Sequence, residues 1–227
     1  MSGYTGTKSS NYVRGTRGYF RRSGFYGRYP SNGGSSVGPL EYKFLDNPVS
    51  ALVINTAGQV DNVINTLAQG TSESERVGRK VMIHSFHWRF RLNLLNTLDA
   101  DDTGICVRLM VVIDKQTNGS AYALSELLAV PGTFDPAHAF RNLQFQNRFV
   151  VLMDRMYCLN AQTTVGTQSG AVVVYDEFNK AMSLPVEYGG TTGSIAEQRS
   201  NSLSVVFMKT ATGNAEIEYN TRVRFTD

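Results

Sequence analysis

The chain has 227 residues, 41% hydrophobic and 18% charged, with a formal net charge of +3. That supply of apolar side chains excludes disorder throughout and suffices for one large domain. No run approaches the ~18 apolar residues of a membrane helix and no hydrophobic signal segment opens the chain, so neither a membrane partner nor Sec-type secretion is expected.

The charge is unevenly placed. Residues 1–40 hold six cations, Lys8, Arg14, Arg17, Arg21, Arg22 and Arg28, and no anion, whereas residues 41–227 hold 16 cations against 19 anions. The chain reads as a basic arm and hinge over 1–39 and a mildly acidic body over 40–227. Such asymmetry points to a polyanionic partner. Nine glycines lie in residues 1–38, with Val13 and Val37 as the only branched aliphatics. This predicts a flexible segment, because too little apolar surface is available to offset ordering entropy. Arginines interleave with rings. In single-strand binding, guanidinium groups meet phosphates and rings stack on bases. The candidate nucleic-acid-binding residues are Lys8, Arg14, Arg17, Tyr19, Phe20, Arg21, Arg22, Phe25, Tyr26, Arg28 and Tyr29. Arg17-Gly18-Tyr19 begins like an RNP1 signature, but Phe20 and Arg21 break it, so an RRM is not expected. Pro30 to Pro39, rich in Gly and Ser, reads as the hinge.

From residue 40 the pattern has period two. Leu40, Tyr42 and Phe44 alternate with Glu41 and Lys43, predicting a strand that buries its even positions. Val60, Val63, Ile64 and Leu67 have helical spacing, opposed by Gly58, Asn62 and Asn65. From Met82 to Leu92 the even positions are Met, His, Phe, Trp, Phe and Leu, which places His84 on an apolar face. Asp99, Asp101 and Asp102 read as a solvated turn. The runs 105–113, 149–153, 171–175 and 203–208 are apolar on both faces and suit central strands packed between two layers. Asn118-Gly119 is a turn dipeptide. Leu124, Leu127 and Leu128 predict a two-turn helix, and Asp135-Pro136 an N-cap opening a short helix toward Leu143. Ile217, Tyr219, Val223 and Phe225 alternate with Glu216, Glu218, Arg222 and Arg224, another half-buried strand. Cys106 and Cys158 read as small core hydrophobes, too few for a disulfide framework or a CxxC metal site. Many strands and few helices predict an all-β fold, an eight-stranded antiparallel jelly roll with short helices in its loops.

Catalytic constellations are missing. There is no GxxxxGK[ST] phosphate loop. His84 and His87, three apart on a strand, are expected on opposite faces and so do not share a metal. The body offers no nucleophile–base pair. Neither an enzyme nor a cofactor or metal is expected.

An ordered series of motifs remains. Arg76-Val77-Gly78-Arg79 precedes the strand Ile83 to Leu92. Arg108 to Ile113 is a strand ending in Asp114-Lys115. Leu124 to Leu128 follows, then Asn147-Arg148-Phe149-Val150-Val151-Leu152-Met153-Asp154-Arg155 and finally Ser202 to Phe207. This series resembles the single-jelly-roll capsid proteins of circular single-stranded DNA viruses that encode a rolling-circle replication protein (the CRESS group). A related pattern occurs in satellite tobacco necrosis virus-like coat proteins. The resemblance implies a T=1 shell of 60 copies around circular single-stranded DNA. It places the chain in the virion, and in the host nucleus during assembly. The arm would point inward, and the loops 93–104, 160–170 and 187–200 would be contact or exterior surfaces. Arg89, Arg91, Arg222 and Arg224, which share polar strand faces, are candidates for an inner wall. The arm is sparser in Lys and Arg than many capsid arms, which gives stacking a larger share. The alternatives are a non-viral single-stranded nucleic-acid-binding β-domain with an RGG-like tail, and a jelly-roll lectin or hydrolase.

Overall fold

Among the described residues eight strands build the two main sheets: β1 (Lys43–Val53), β2 (Gln59–Asp61), β3 (Lys80–Leu94), β4 (Ile105–Asp114), β5 (Phe149–Leu159), β6 (Val173–Glu187), β7 (Ser202–Lys209) and β8 (Ala215–Thr226). The computed structural model describes residues 42–94, 105–117, 119–130, 135–159, 162–164, 167–169, 173–210 and 214–227. The candidate arm residues, Lys8 to Tyr29, and the Asp99, Asp101 and Asp102 turn lie outside them.

The strands form two antiparallel sheets, ordered β1-β8-β3-β6 and β2-β7-β4-β5. Successive strands alternate between sheets except at β4–β5, and the first and last strands pair. That is the connectivity of a jelly roll. The inner faces meet in one core. Phe86, Trp88, Phe90 and Leu92 of β3 pack with Leu109 and Val111 of β4, Val205 and Phe207 of β7, and Ile217, Val223 and Phe225 of β8. Each such side chain contributes about 1.5–3 kcal/mol through burial. Tyr219 of β8 donates across to Asp61 of β2, and Tyr157 of β5 to Asp176 of β6, so polar bonds also join the sheets.

The outer face of the second sheet is covered as well. Met110 and Val112 of β4, with Val206 and Met208 of β7, pack against Tyr122, Leu127, Ala137, Ala139 and Phe149. Their cover includes the one-turn helix α1 (Leu124–Leu127) and the 3-10 turn Pro136–His138, which Asp135 caps through the Ala137 N–H at 2.9 Å. This second layer explains why 105–113 and 203–208 are apolar on both faces. The runs 149–153 and 171–175 differ. The described parts of these runs, 149–153 and 173–175, lie in the edge strands β5 and β6, where Val150 and Tyr175 are exposed.

Several expectations are corrected. The first strand is phased oppositely: Lys43 is buried while Tyr42 and Phe44 are exposed. Burial is tolerated because the Lys43 ammonium pairs with Asp227 at 2.9 Å and donates to the Glu75 carbonyl at 3.0 Å. In β3 a bulge interrupts the ladder: Arg224 pairs with Ser85 but Phe225 with Ile83, leaving His84 as the extra residue. Alternation therefore flips there. Odd positions Val81 and Ile83 are buried below it and the even positions from Phe86 to Leu94 above it, and His84 is half-buried, bonded to the Thr226 hydroxyl at 3.0 Å. Cys106 and Cys158 are not core residues. They stand opposite each other on β4 and β5, facing away from the core, and form a disulfide. The predicted two-turn helix is one turn, since Leu128 turns into a short strand with Arg141. The expected helix toward Leu143 is two separate 3-10 turns. Val60 lies in β2, so the opposing glycine and asparagines prevail over the helical spacing. Gly119 has a φ of +74°, as its turn requires. Among the described residues no helix is long and apolar enough to cross a membrane.

Candidate nucleic-acid and assembly surfaces

On β3 and β8 the side chains between core residues point to the outer face of the first sheet. The ladder sets His87 opposite Arg222, Arg89 opposite Asn220, and Arg91 opposite Glu218. The four candidate inner-wall arginines thus come together on one face. Carboxylates accompany them. Arg222 makes a two-bond pair with Asp46 of β1 and stacks over Phe44, 5.0 Å from the ring centre. Arg89 and His87 both reach Glu177 of β6, at 3.0 and 3.2 Å. Arg91 pairs with Glu218 at 2.8 Å. Hydrogen bonds from Arg222 hold the Asp46 carboxyl below its usual range. Those from His87 and then Arg89 do the same for Glu177. Among the described residues Arg224 has no ion-pair partner, though its charge also acts on Asp46.

Charge is not uniform over this face. His87, Arg89, Asn220, Thr221, Arg222 and Arg224 line a depression of about 300 Å³ whose lining has no carboxylate. Arg91 lies toward the other end, beside Glu218 and Glu216. Sequence alternation foresaw the arginines. It missed Asp46, Glu177, Phe44 and Tyr175, because partners on β1 and β6 are set by sheet order, and Phe44 was assigned to the buried face.

A second surface lies on the cover of the second sheet. Phe140, Leu143 and Phe145 are 86%, 72% and 36% exposed. Their backbone is nevertheless tightly held. Asn142 donates to the Leu127 and Ser125 carbonyls, each at 2.9 Å, and its side-chain oxygen accepts from the Gln144 N–H. Arg108 holds the Ala137 and Ala139 carbonyls at 3.2 and 2.7 Å.

A third cluster explains the Arg76 motif. Arg76 is fully buried and donates to the carbonyls of Leu67 (2.9 Å), Gly78 (2.6 Å) and Gly190, with its guanidinium 4.5 Å from the centre of the Tyr188 ring. It ties the 67–80 loop to the 187–200 loop. That loop is therefore partly interior: Tyr188 and Gln198 are buried. The loop 93–104 lies mostly outside the described residues, and in 160–170 the structure describes a short antiparallel pair, Gln162–Thr164 with Thr167–Ser169. Among the described residues no group of three His, Cys, Asp or Glu is placed to hold a metal.

The family described as satellite tobacco necrosis virus coat protein matches residues 39–227. The coat protein of Maize white line mosaic satellite virus is 26% identical over 191 residues, covering 83% of this chain and 82% of that protein. A solved chain of Desmodium yellow mottle tymovirus aligns over 97% of this chain and 96% of its own, with a TM-score of 0.34 and 8% identity. These names give no support to the expected circular single-stranded DNA virus. A match over almost the whole body, on a chain folded as a jelly roll, places this viral coat protein in the satellite tobacco necrosis virus coat protein family.

Proposed function

We propose that this coat protein closes a T=1 shell of 60 copies and that its N-terminal arm gathers a circular single-stranded DNA genome inside it. The observation that carries this is the separation of charge: six cations and no anion in residues 1–40, ahead of a coat-protein body with 16 cations and 19 anions. The DNA assignment rests on the resemblance of the motif series from Arg76 to Phe207 to capsid proteins of circular single-stranded DNA viruses, a series also related to the satellite virus coat proteins that match this chain. With a DNA genome, assembly takes place in the host nucleus. The non-viral binding module and the lectin or hydrolase are left without support by the coat-protein match.

The proposed mechanism has two separable parts. Lateral contacts close the wall, and Phe140, Leu143 and Phe145 supply a rigidly held apolar surface for them. The arms concentrate coat protein on the genome and neutralise it. Sixty arms bring about 360 positive charges, fewer than the phosphates of a genome of roughly a thousand nucleotides or more. Arg89, Arg91, Arg222 and Arg224 are the body's candidates to add to them on an inner wall.

The test is negative-stain microscopy of purified full-length protein with nuclease protection on the same sample, followed by separate DNase and RNase digestion of the extracted nucleic acid. Uniform closed particles holding protected, DNase-sensitive nucleic acid are expected. RNase sensitivity would overturn the DNA assignment and leave the shell. Small oligomers with unprotected nucleic acid across salt and pH would overturn the packaging role.

A further inference from the structure

We propose that the outer face of the first sheet is a second, sequence-independent binding site for single-stranded nucleic acid, with phosphates in the Arg89–Arg222–Arg224 depression and bases on Phe44 and Tyr175. This rests on the packaging function proposed above and assigns it a site in the folded body, separate from the arm.

Chemistry and placement both support the site. Around the first depression the cations stand on the central strands and their carboxylate partners, Asp46 and Glu177, on the edge strands, whereas Arg91 meets Glu218 of β8 itself. Asp46 on β1 pairs with Arg222 on β8, which pairs with His87 on β3, and on the far side Arg89 of β3 pairs with Glu177 on β6. The depression is lined by three arginines, His87, Asn220 and Thr221, with no carboxylate among them. Donors remain for a ligand. Arg89 bonds Glu177 through Nε alone, which leaves its terminal N–H groups. Arg222 uses Nε and Nη2 on Asp46, which leaves Nη1. Among the described residues Arg224 makes no ion pair. Guanidinium forks of this kind match phosphate oxygens.

Rings flank the cations on both sides. Phe44 is 37% exposed beside Arg222, and Tyr175 is 72% exposed beside Arg91. A second depression of about 440 Å³, lined in part by Arg89, Arg91 and Tyr175, adjoins the first through Arg89. A sheet bearing exposed rings among arginines suits splayed, unstacked bases, which a single strand offers and a duplex does not.

The test uses the full-length chain and two probes, fluorescent oligo-dT and oligo-U of about 20 nucleotides. Arg89→Gln with Arg224→Gln is the charge variant and Tyr175→Ala the stacking variant, with far-UV circular dichroism as the folding control. The charge variant is expected to weaken binding and flatten the log–log salt slope by about 0.7 per arginine. The stacking variant is expected to lose roughly fivefold or more with little change in slope. Equal effects on both probes assign the site to single strands in general, as proposed, whereas loss confined to one probe overturns sequence-independent recognition of the shared backbone. Ultraviolet cross-linking of assembled particles is expected to mark peptides bearing Phe44 and Tyr175. Cross-links confined to residues 1–39, with both variants binding like the parent, overturn the sheet site and leave the arm. Particles devoid of nucleic acid and a full-length chain that binds neither probe overturn the packaging function itself.

Discussion

Asp114 and Arg148 share two hydrogen bonds, each 2.8 Å, with the Asp114 side chain wholly buried. They join the end of β4 to the start of β5. The same two strands repeat the pairing in reverse, Arg108 of β4 gripping Asp154 of β5 at 2.8 and 2.7 Å. The Asp-Lys turn and the Arg-Phe…Asp strand, separate motifs in the sequence, are two halves of one reciprocal clamp. Arg148 also reaches Glu126 at 3.0 Å and so fastens α1 to the clamp.

Removing Arg148 leaves a buried carboxylate without its partner. Arg148→Ala is expected to cost about 3–5 kcal/mol. Asp154 is 30% exposed, so Arg108→Ala leaves an acid that water can reach and costs less. Urea denaturation of the two variants checks the order, and equal losses would refute it.

Arg76→Leu strips a donor set from three carbonyls in a dry site. A loss of about 2–5 kcal/mol is expected. Arg76→Lys is not expected to restore it, since an ammonium cannot span three separated acceptors as the planar fork does. Thermal melts of both variants decide this, and the lysine form matching the parent would refute it.

The Cys106–Cys158 bridge closes a separation of 52 residues. Protein denatured without reductant is expected to show no reactive thiol, and two after reduction. Reduction is expected to lower stability by about 2–4 kcal/mol. Thiol titration paired with melts under both conditions measures each part.

Acid stability follows from Asp46, Asp176 and Glu177, whose carboxyls are held below their ordinary values of 3.8, 3.8 and 4.5, chiefly by hydrogen bonds from Arg222, Tyr157 and His87 respectively. The unfolded chain takes up these protons first. Their contribution is therefore present above about pH 5 and lost as pH falls through 4 and below. Urea midpoints between neutral pH and pH 3 are expected to drop along that course.

At the alkaline end the sign reverses. Burial raises the phenols of Tyr122, Tyr188 and Tyr219 above their ordinary value of 10.0. The unfolded chain releases these protons first, so stability falls as pH rises past 10. Phenolate absorbance is expected to show these tyrosines ionising only together with unfolding.

For assembly, Phe140→Asp with Leu143→Asp is expected to leave the melting temperature within a few degrees of the parent, because both side chains already face water. Closed particles are expected to be lost. Sedimentation of the variant checks this, and normal particles would remove that surface from the wall contacts.

The sequence by itself determined that the body is made of antiparallel strands, because apolar alternation states which faces exclude water along β3 and β8 and which strands are covered on both sides, as β4 and β7 are. It also placed Arg89, Arg91, Arg222 and Arg224 on outward positions of adjacent strands. Tertiary structure decided the rest. Alternation carries no information about a bulge, so the inversion at His84 was invisible. A lysine within an apolar-flanked strand reads as exposed until its partner, Asp227 at 184 residues' remove, is folded beside it. Two cysteines 52 residues apart declare no bond until the β4–β5 register sets them face to face. Whether an arginine stands alone or beside a carboxylate depends on which strand becomes its neighbour, and strand order in a sheet is fixed by long-range packing rather than by local pattern.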